Sequence, residues 1–420
     1  MKILVVGGGG REHAICHALS KSCAPEDLFC APGNAGIAQV AQCVPIGATK
    51  LDELVEFSQS QAMDFVVVAP DDPLSMGLVD RLNAVGIPAF GPTAAAARIE
   101  SSKAFAKEVM ARAGIPTAAY RTFDDAAQAR AYAETCALPI VVKADGLALG
   151  KGVLICSTRD DVQNAVEQTM CSRAFGSAGS RIVIEEFMTG PEMTLLAFCD
   201  GKTVLPMVTA QDYKRAHDGD LGLNTGGMGS VSPALHEQPG DVDFCVRQVL
   251  QPCVDELARM GCPFQGVLYA GLMRTPGGIR VIEFNARFGD PEAQAVLSRL
   301  ETDLLTVLLA ATQGRLNEIT LTWKNKSSVC VVMASGGYPG KIQTGFAISG
   351  LSDVGEATVY HAGTALREGQ VVTAGGRVLG VTALGESVAQ ARESAYAEAA
   401  KLHFEHQHMR RDIAQGGHAT

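Results

Sequence analysis

The sequence predicts a protein of several α/β and α+β domains, the first of which is a doubly wound parallel sheet. The chain has 420 residues, which corresponds to about two to four domains at roughly 100 to 200 residues each. Short apolar segments alternate with helix-length segments over residues 1–100, as they do in parallel sheets. Hydrophobic residues make up 47% and charged residues 19% of the chain, a balance that favours packed cores over disorder.

The N-terminal domain is predicted from this alternation of strands and helices. The expected elements are strands at 2–6, near Leu28 and at 64–69, and helices from Arg11, over 51–61 and from Pro73. An Ala-rich helix is expected to open at Gly91-Pro92-Thr93 and to continue to Arg112, where the Ala-Gly-Ile-Pro segment at 113–116 ends it. We assign this domain to residues 1–102.

The remaining chain predicts a central region and a C-terminal domain. Residues 103–325 form the central region, with a small α+β lobe at about 118–190 and a second lobe at about 191–325. The second lobe is expected to hold a sheet, two or three helices and a long Gly/Asn/Thr loop at 217–230. Residues 326–420 predict a mixed α/β domain, in which short strands broken by glycines precede a final helix.

Charge and composition exclude several classes of partner. The formal net charge is −10, and no Lys/Arg run is longer than Arg410-Arg411, so neither nucleic acid nor an anionic membrane is expected as a partner. No apolar stretch has the length of a leader or a membrane span, and a cytoplasmic location is expected. The 12 cysteines form no CxxC motif, which favours buried reduced thiols over disulfides or metal sites.

A glycine turn follows the first predicted strand. Gly7 to Gly10 precede Arg11 and Glu12 at the start of a helix, where backbone N–H groups favour an anion. A dinucleotide fingerprint would require glycine in place of Glu12 and an acid after the second strand, and the sequence has neither. Contact with a ligand phosphate and a purely structural tight turn both remain open for this segment.

A second glycine loop lies at residues 146–152, between two predicted strands. Its spacing is one residue short of a P-loop, and Gly152 stands where a P-loop has Ser or Thr. With Lys143 and Lys151 on either side, the loop is interpreted as a hairpin whose amides close over a triphosphate. The alternative is an ordinary surface turn.

Two groups of acidic residues follow apolar strands. A period of two puts Glu283 and Asn285 on one face of a strand and Ile282 and Phe284 on the other, core-facing side. Oxygen donors paired in this way suit Mg²⁺, although such a pair is more often a solvated face. Glu185 and Glu186 end the other strand and Glu192 follows soon after, for which solvated turn acids are the alternative.

Together and in this order, the segments resemble the ATP-grasp superfamily and, within it, the phosphoribosylamine–glycine ligase family. The strings that carry the resemblance run from one end of the chain to the other: GGGGREHA (7–14), APGNAG (31–36), FGPTAAAA (90–97), SKAFAK (102–107), VVKADGLALGKGV (141–153), VIEEF (183–187), AQDYKR (210–215), NTGGMGS (224–230), VIEFNARFGDPE (281–292), ASGGYPG (334–340), HAGTA (361–365) and GGRVLGVTALG (375–385). The most specific are NTGGMG and EFNARFGDPE.

The resemblance implies a role for each candidate site residue. Those implied to bind ATP are Lys103, Lys143, Gly146, Gly150, Lys151, Gly152, Glu185, Glu186, Phe187, Met188 and Glu192, with the adenine at 185–188. Those implied at the reacting centre are Lys143, Asp212, Lys214, Arg287 and Asp290. Those implied to bind substrates are Gly9, Arg11, Gly33, Asn34, Asn224, Thr225, Gly226, Gly227 and Gly289, and those implied to hold Mg²⁺ or Mn²⁺ are Glu283 and Asn285.

The activity implied by this resemblance is a step of purine synthesis. ATP would drive the ligation of glycine to 5-phosphoribosylamine through glycyl phosphate, giving glycinamide ribonucleotide, ADP and phosphate, in a monomer or weak dimer. The nearest alternative is another ATP-grasp ligase or carboxylase with a different acid or amine. A nucleotide-binding reductase and a non-catalytic nucleotide sensor are the alternatives from other classes; the missing fingerprint opposes the first, and the retained phosphate and metal residues oppose the second.

Overall fold

The computed structural model describes residues 1–147, 152–172, 174 and 176–416. Its N-terminal region is the predicted doubly wound parallel sheet. The elements in chain order are β1 (Ile3–Gly7), α1 (Gly10–Leu19), β2 (Leu28–Pro32), β3 (Gln42–Cys43), α2 (Leu51–Ser60), β4 (Phe65–Val68), α3 (Asp71–Ser75), α4 (Leu78–Ala84) and β5 (Ala89–Phe90). All strand pairs in this sheet are parallel, and the strand order is β3-β2-β1-β4-β5.

Both faces of this first sheet are buried, as its uniformly apolar strands predict. Leu4 and Val6 of β1 pack into one hydrophobic core, whereas Ile3 and Val5, which point the other way, pack into a second. The second core also contains apolar residues of the central region, including Phe198 and Phe288. The N-terminal sheet is therefore fixed against the part of the chain that carries most of the candidate site residues.

The Ala-rich segment after β5 differs from its prediction. It forms two helices, α5 (Ala94–Ser101) and α6 (Lys103–Ala113), and not one. Ser102 between them is extended, and its hydroxyl accepts a hydrogen bond from the Phe105 amide as the N-cap of α6. The same hydroxyl donates to Asp145, which also accepts from the Ala104 amide. The break thus ties α6 to the strand end that precedes the second glycine loop.

Residues 120–186 form the predicted small α+β lobe. Its elements are β6 (Tyr120–Phe123), α7 (Ala126–Thr135), β7 (Ile140–Ala144), β8 (Val153–Cys156), α8 (Arg159–Val166), which continues into a π-helical turn at Glu167–Cys171, and β9 (Ile182–Glu186). The strands pair antiparallel in the order β6-β9-β7-β8. Because β7 and β9 are central neighbours, Lys143 and Glu185 lie on adjacent strands.

The second lobe of the central region contributes eight strands, not all of them to one sheet. They are β10 (Glu192–Asp200), β11 (Val204–Pro206), β12 (Gln211–Asp212), β13 (Arg215–His217), β14 (Leu221–Asn224), β15 (Gly229–Ser232), β16 (Gln265–Thr275) and β17 (Gly278–Asn285). Its helices are α9 (Asp241–Cys245), α10 (Gln251–Arg259), α11 (Glu292–Arg299) and α12 (Leu304–Thr312). An antiparallel sheet has the order β11-β10-β16-β17. The segment predicted as a long loop at 217–230 contains β14, which forms a hairpin with β13.

The largest sheet joins central and C-terminal strands. The C-terminal elements are β18 (Ser327–Ser335), β19 (Thr358–His361), β20 (Thr364–Arg367), β21 (Gln370–Thr373), β22 (Arg377–Gly385), α13 (Val388–Ala399) and β23 (Gln407–His408). The sheet order is β12-β15-β18-β22-β19, with β23 also on β18, and β20 pairs with β21 separately. Hydrogen bonds between β15 and β18 therefore cross the boundary drawn at 325/326 from the sequence.

The state of the cysteines agrees with the prediction of buried reduced thiols. All 12 cysteines are free, and most are buried. Among the described residues, no helix combines the length and the apolar character needed to cross a bilayer.

Candidate active site

The first glycine turn lies where the order of the N-terminal sheet reverses. β1 is flanked by β2 and β4, and a crevice at the carboxyl ends of such strands is where ligands bind in doubly wound sheets. The Gly9 amide, which begins α1, donates to Glu12 Oε2 at 2.6 Å, and Arg11 Nε donates to Glu12 Oε1 at 2.5 Å. The helix thus caps itself with its own carboxylate. The Gly9 amide is occupied within the fold, and Arg11 is the cation at this turn.

The turn at Gly33 and Asn34 packs tightly against the first glycine turn, at residues 7–10. A Cβ on Gly8 would lie 2.6 Å from the Gly33 carbonyl oxygen, and Gly33 has a φ of +71°, so glycine is required at both places. Asn34 Nδ2 donates to the Gly8 oxygen at 3.0 Å and to the His361 oxygen at 2.8 Å. The Asn34 side chain therefore holds the two turns together and connects them to β19 of the C-terminal region.

Two lysines share one buried carboxylate at the paired strands β7 and β9 of the small lobe. Lys143 Nζ lies 3.0 Å and Lys107 Nζ 3.1 Å from the same oxygen, Glu185 Oε2. All three side chains are buried. Lys103 lies on the same helix as Lys107, and its Nζ donates to the Gly146 oxygen at 3.1 Å. Of the two predicted phosphate lysines, Lys103 therefore contacts the start of the loop, whereas Lys143 pairs with Glu185.

Glu283 lies among cations that are paired elsewhere. Lys143 pairs with Glu185, Lys214 with Glu192 at 2.9 Å, and Arg287 with Glu100 at 2.9 Å. Burial on its own would raise the pKa of Glu283, but Lys214, Lys143, Lys103 and Arg287 together lower that pKa below its ordinary value. Glu283 is thus an ionised carboxylate in a positive field.

The predicted two-residue period of β17 is interrupted next to Glu283. Gly271 of β16 pairs with Glu283, but Leu272 pairs with Val281, so Ile282 is an extra residue, as in a β-bulge. Ile282 is consequently only partly buried, and Phe284 lies in the core with Val281. The assignment of Ile282 to the core face is wrong for this reason. The bulge directs the Ile282 carbonyl to Lys143 Nζ at 3.3 Å, and Glu283 and Asn285 keep the same side.

A second group of acids surrounds Lys214. Burial raises the pKa of Asp212 to about 7; Lys214 acts in the opposite direction, and Glu292 and Glu192 add to the rise. Glu292 accepts a hydrogen bond from the Tyr269 hydroxyl at 2.8 Å. An aspartate with such a pKa can exchange a proton near neutral pH. A group of interacting charges thus lies beside the metal candidates and consists of Asp212, Lys214 and Glu192.

The segment 224–227 packs on the turn at 289–291. A Cβ on Gly227 would lie 2.4 Å from Pro291 Cδ, and Thr225 donates its amide to the Lys214 oxygen at 2.7 Å. Arg377 of β22 joins both segments, because it donates to the Gly226 oxygen at 2.5 Å and pairs with Asp290 at 3.0 Å. The pKa of Asp290 is lowered; burial alone would raise it, but Arg377 and Arg11 outweigh burial.

The fold brings most sequence-predicted site residues into these groups. Asn224 ends β14 opposite Arg215, and Gly289 packs against Glu292. Phe187 and Met188 follow β9 and are partly buried, whereas Glu186 is exposed and pairs with Arg280. Gly152 precedes β8 and is described, but Gly150 and Lys151 lie outside the described residues.

Three residues at the site were missed by the sequence prediction. Arg377 lies in the GGRVLG string and His361 in the HAGTA string, so both strings signalled a role without indicating what the residues contact. Lys107 lies in SKAFAK, four residues after Lys103 on the same helix. Its partner Glu185 is 78 residues further along the chain. No local pattern indicates such a pairing.

Among the described residues, no group of three or more His, Cys, Asp or Glu side chains is arranged to hold a metal ion. Glu283 and Asn285 together offer one carboxylate and one amide oxygen. This small donor set fits a metal that completes its shell with water and phosphate oxygens, as Mg²⁺ does.

Known proteins resemble this chain over its whole length. Residues 1–100 match the family description "Phosphoribosylglycinamide synthetase, N domain", residues 101–293 match the "ATP-grasp (A) domain" of the same family, and residues 328–416 match its "C domain". A protein of Caldanaerobacter subterraneus named phosphoribosylamine--glycine ligase is 47% identical, with 99% of this chain and all of that protein covered. One from Escherichia coli with the same name is 47% identical, with 98% of each covered.

Solved structures agree with these sequence matches. The phosphoribosylamine--glycine ligase of Thermotoga maritima superposes with a TM-score of 0.88 at 32% identity, covering 98% of this chain and 100% of that one. The biotin carboxylase domain of Hydrogenobacter thermophilus 2-oxoglutarate carboxylase superposes with a TM-score of 0.76 at 14% identity, covering 97% and 91%. At that identity, the second likeness concerns the fold alone.

Proposed function

Because the chain belongs to the phosphoribosylglycinamide synthetase family of ATP-grasp ligases, we propose a role for its residues in joining glycine to 5-phosphoribosylamine. The enzyme is a ligase of purine biosynthesis that uses ATP and a divalent metal. Its acid is glycine, its amine is 5-phosphoribosylamine, and its products are glycinamide ribonucleotide, ADP and phosphate. It acts in the cytoplasm as a monomer or weak dimer.

The observation that carries this proposal is the positive field around Glu283. Lys103, Lys143, Lys214 and Arg287 together lower the pKa of Glu283, although burial opposes them. Triphosphate and acyl phosphate groups need cations of this kind, and phosphoryl transfer is catalysed chiefly by neutralising and positioning charge. Glu283 and Asn285 would hold Mg²⁺, with Mn²⁺ as a substitute. The metal would supply neutralisation of charge on the phosphate oxygens.

The first chemical step needs no general base from the protein. The glycine carboxylate is ionised at neutral pH and can attack the γ-phosphate once charge repulsion is reduced. Lys143 and Arg287 stabilise the transferring phosphoryl group, and the products of this step are glycyl phosphate and ADP. No side chain has to form a covalent bond with the phosphoryl group.

The second step releases a proton, and Asp212 is suited to accept it. The amine of phosphoribosylamine attacks the acyl carbon, the C–O bond to phosphate breaks, and the nitrogen loses a proton. A base with a pKa near the working pH is the most effective acceptor, and burial raises the pKa of Asp212 to about 7. Lys214 pairs with Glu192, and Asp290 pairs with Arg377. Each charge of these side chains is therefore balanced by an opposite one.

The nucleotide would bind between the small lobe and the central sheet. The adenine lies against the end of β9 and the connection after it, at Glu185, Glu186, Phe187 and Met188, and Glu192 contacts the ribose. The glycine loop with Gly146, Gly150, Lys151 and Gly152 covers the phosphates, which Lys103 and Lys143 neutralise. The contact between Lys103 and the Gly146 oxygen supports this arrangement.

The other substrates would bind between the N-terminal turns and the central segments. Phosphoribosylamine lies at Gly9, Arg11, Gly33 and Asn34, near the reversal of strand order. Glycine and the acyl group lie against the segment Asn224, Thr225, Gly226 and Gly227 and against Gly289. The support is the packing of 224–227 on the turn after Gly289, which closes this side of the site.

ADP release tests the substrates directly. Release should require both glycine and freshly prepared phosphoribosylamine, and bicarbonate should not replace glycine. Release with bicarbonate, or with another acid and amine but not with this pair, would identify a different ATP-grasp ligase. Glycine labelled with ¹⁸O in its carboxylate tests the intermediate, because one label must appear in the released phosphate. Unlabelled phosphate would contradict the glycyl phosphate route.

A further inference from the structure

The buried contact between Lys107, Glu185 and Lys143 contains more positive charge than one carboxylate needs. Both ammonium groups contact the same oxygen, Glu185 Oε2, at 3.1 and 3.0 Å. Exposed fractions are 2% for Lys107, 3% for Glu185 and 5% for Lys143, so water does not solvate these three charged groups. A buried carboxylate that loses its counter-charge is strongly destabilised. Two lysines on one carboxylate therefore allow one of them to leave.

Lys107 is the lysine that is fixed in place. Its Nζ donates to Thr117 Oγ1 at 2.7 Å, and that hydroxyl in turn donates to the Val281 oxygen at 2.7 Å. Its backbone oxygen accepts from the Tyr120 hydroxyl at 3.0 Å, and its Nζ lies 5.4 Å from the centre of the Tyr120 ring. These contacts join α6 to the small lobe and to β17. Lys107 is therefore held in place by Thr117, Tyr120 and Glu185.

Lys143 makes fewer contacts than Lys107, and one of them is with the bulge of β17. Apart from Glu185, its Nζ contacts the Ile282 oxygen at 3.3 Å, a long hydrogen bond at the bulge of β17. It also contributes to the low pKa of Glu283, so it lies near the proposed metal and phosphate position. Moving Lys143 from Glu185 to a phosphate leaves Glu185 paired with Lys107. Without Lys107, the same movement would leave a buried carboxylate unpaired.

We propose that Lys107 is a positioning residue, a counter-charge held in place beside Glu185 that leaves Lys143 available to the phosphates of the nucleotide. Lys107 does not touch substrate itself and acts through Glu185. This inference rests on the proposed function, because it takes Lys143 as a phosphate ligand. It adds that nucleotide affinity depends on a lysine that the nucleotide does not contact.

A double-mutant cycle on Lys107 and Glu185 tests the inference by calorimetric binding of a non-hydrolysable ATP analogue with Mg²⁺. Lys107→Met should raise the dissociation constant at least about tenfold, because Lys143 becomes the sole partner of Glu185. Lys107→Arg keeps the charge and should stay close to the wild type. With Glu185→Gln already in place, adding Lys107→Met should change the dissociation constant by less than about threefold, since no carboxylate then retains Lys143.

A merely structural role for Lys107 gives a different pattern. In that case Lys107→Met would cost as much affinity in the Glu185→Gln protein as in the wild type, or would cost none in either, and both patterns overturn the inference. Lys401→Met is the matched control, because Lys401 pairs with Glu398 on α13 at 2.8 Å outside the site. Its affinity should equal that of the wild type.

A single variant decides the question if Lys107→Met does not fold. Lys107→Gln keeps a hydrogen-bond donor for Thr117 and Glu185 but removes the charge, so it should also raise the dissociation constant at least about tenfold. Wild-type affinity in a folded Lys107→Gln protein would overturn the inference. Analogue binding does not depend on which acid and amine are joined. A wild-type protein that binds the analogue but releases no ADP with glycine and phosphoribosylamine would instead contradict the proposed function.

Discussion

At the scale of single residues, Glu283 is half-buried and has a lowered pKa. A carboxylate that is partly withdrawn from water and stays ionised must be stabilised by its surroundings, and four cations supply that stabilisation. Three of the four cations also pair directly with another acid: Lys143, Lys214 and Arg287. The charge of Glu283 is therefore available for a metal, which explains why this residue and not its neighbours is the strongest metal candidate.

Replacing Glu283 with Gln should reduce turnover far more than folding stability. The change removes an ionic metal ligand but keeps the shape of the side chain, and turnover should fall by about two orders of magnitude or more. Raising the Mg²⁺ concentration should restore part of the loss. Glu318→Gln, at an exposed pair with Arg315, is the control. Wild-type turnover of Glu283→Gln at ordinary Mg²⁺ would contradict the assignment.

Asp212 predicts the pH dependence of the reaction. Its pKa is raised to about 7, chiefly by burial, so the fraction able to accept a proton grows as the pH rises through 7. The kcat should rise over the same interval. Asp212→Asn should lower kcat by roughly 100-fold and should abolish this dependence. The exposed Asp243→Asn on α9 should change neither. An unchanged pH profile in Asp212→Asn would exclude Asp212 as the proton acceptor.

At the scale of elements, the segment between β14 and β15 is held by backbone contacts. The Thr225 amide and hydroxyl both donate to the Lys214 oxygen, and the Met228 amide donates to the Tyr213 oxygen at 2.8 Å. The segment therefore runs beside the connection between β12 and β13, which begins after Asp212 and contains Lys214. On its other side it contacts the turn at Pro291 without space for a side chain at Gly227.

A methyl group at Gly227 should disturb this packing. Gly227→Ala puts Cβ 2.4 Å from Pro291 Cδ at a φ of +113°, so we expect a loss of about 1 to 3 kcal/mol in the free energy of unfolding and a higher KM for glycine. Gly219→Ala separates the two causes. Gly219 also has a positive φ, +69°, but nothing lies within 4 Å of its Cβ position. Similar losses in both variants would mean that packing on Pro291 does not matter.

At the scale of the whole molecule, the N-terminal and C-terminal regions meet through buried histidines. The His361 amide donates to His13 Nδ1 at 2.7 Å, and the His361 ring lies 3.1 Å from the Thr364 hydroxyl. Burial lowers the pKa of His13 to about 3, with His361 and His17 adding to it, and burial lowers the pKa of His361 to about 4. Both rings are neutral in the folded protein at pH 7.

This contact predicts a loss of stability in acid. Between pH 6.5 and about 4 the unfolded chain binds protons that the folded protein does not, so stability is greatest above 6.5 and decreases as the pH falls. His13→Asn keeps an acceptor for the His361 amide but removes the titrating ring. Its melting temperature should therefore depend less on pH over this interval than that of the wild type. His403→Asn, on an exposed side chain, is the control. Parallel curves for wild type and His13→Asn would contradict the prediction.

The sequence by itself determined the elements whose causes are local. The alternation of apolar segments with helix-length segments was sufficient for the parallel N-terminal sheet, and glycine and acidic motifs supplied the candidate site residues. The tertiary structure decided which distant groups meet: β15 with β18 across the expected boundary, Arg377 with Asp290, and Lys107 with Glu185. Ser102 divided a helix because of its partner Asp145, and Ile282 formed a bulge against β16. Local patterns report which side of an element is buried, whereas the pairing of strands and charges depends on the free energy of contacts between segments far apart in the chain.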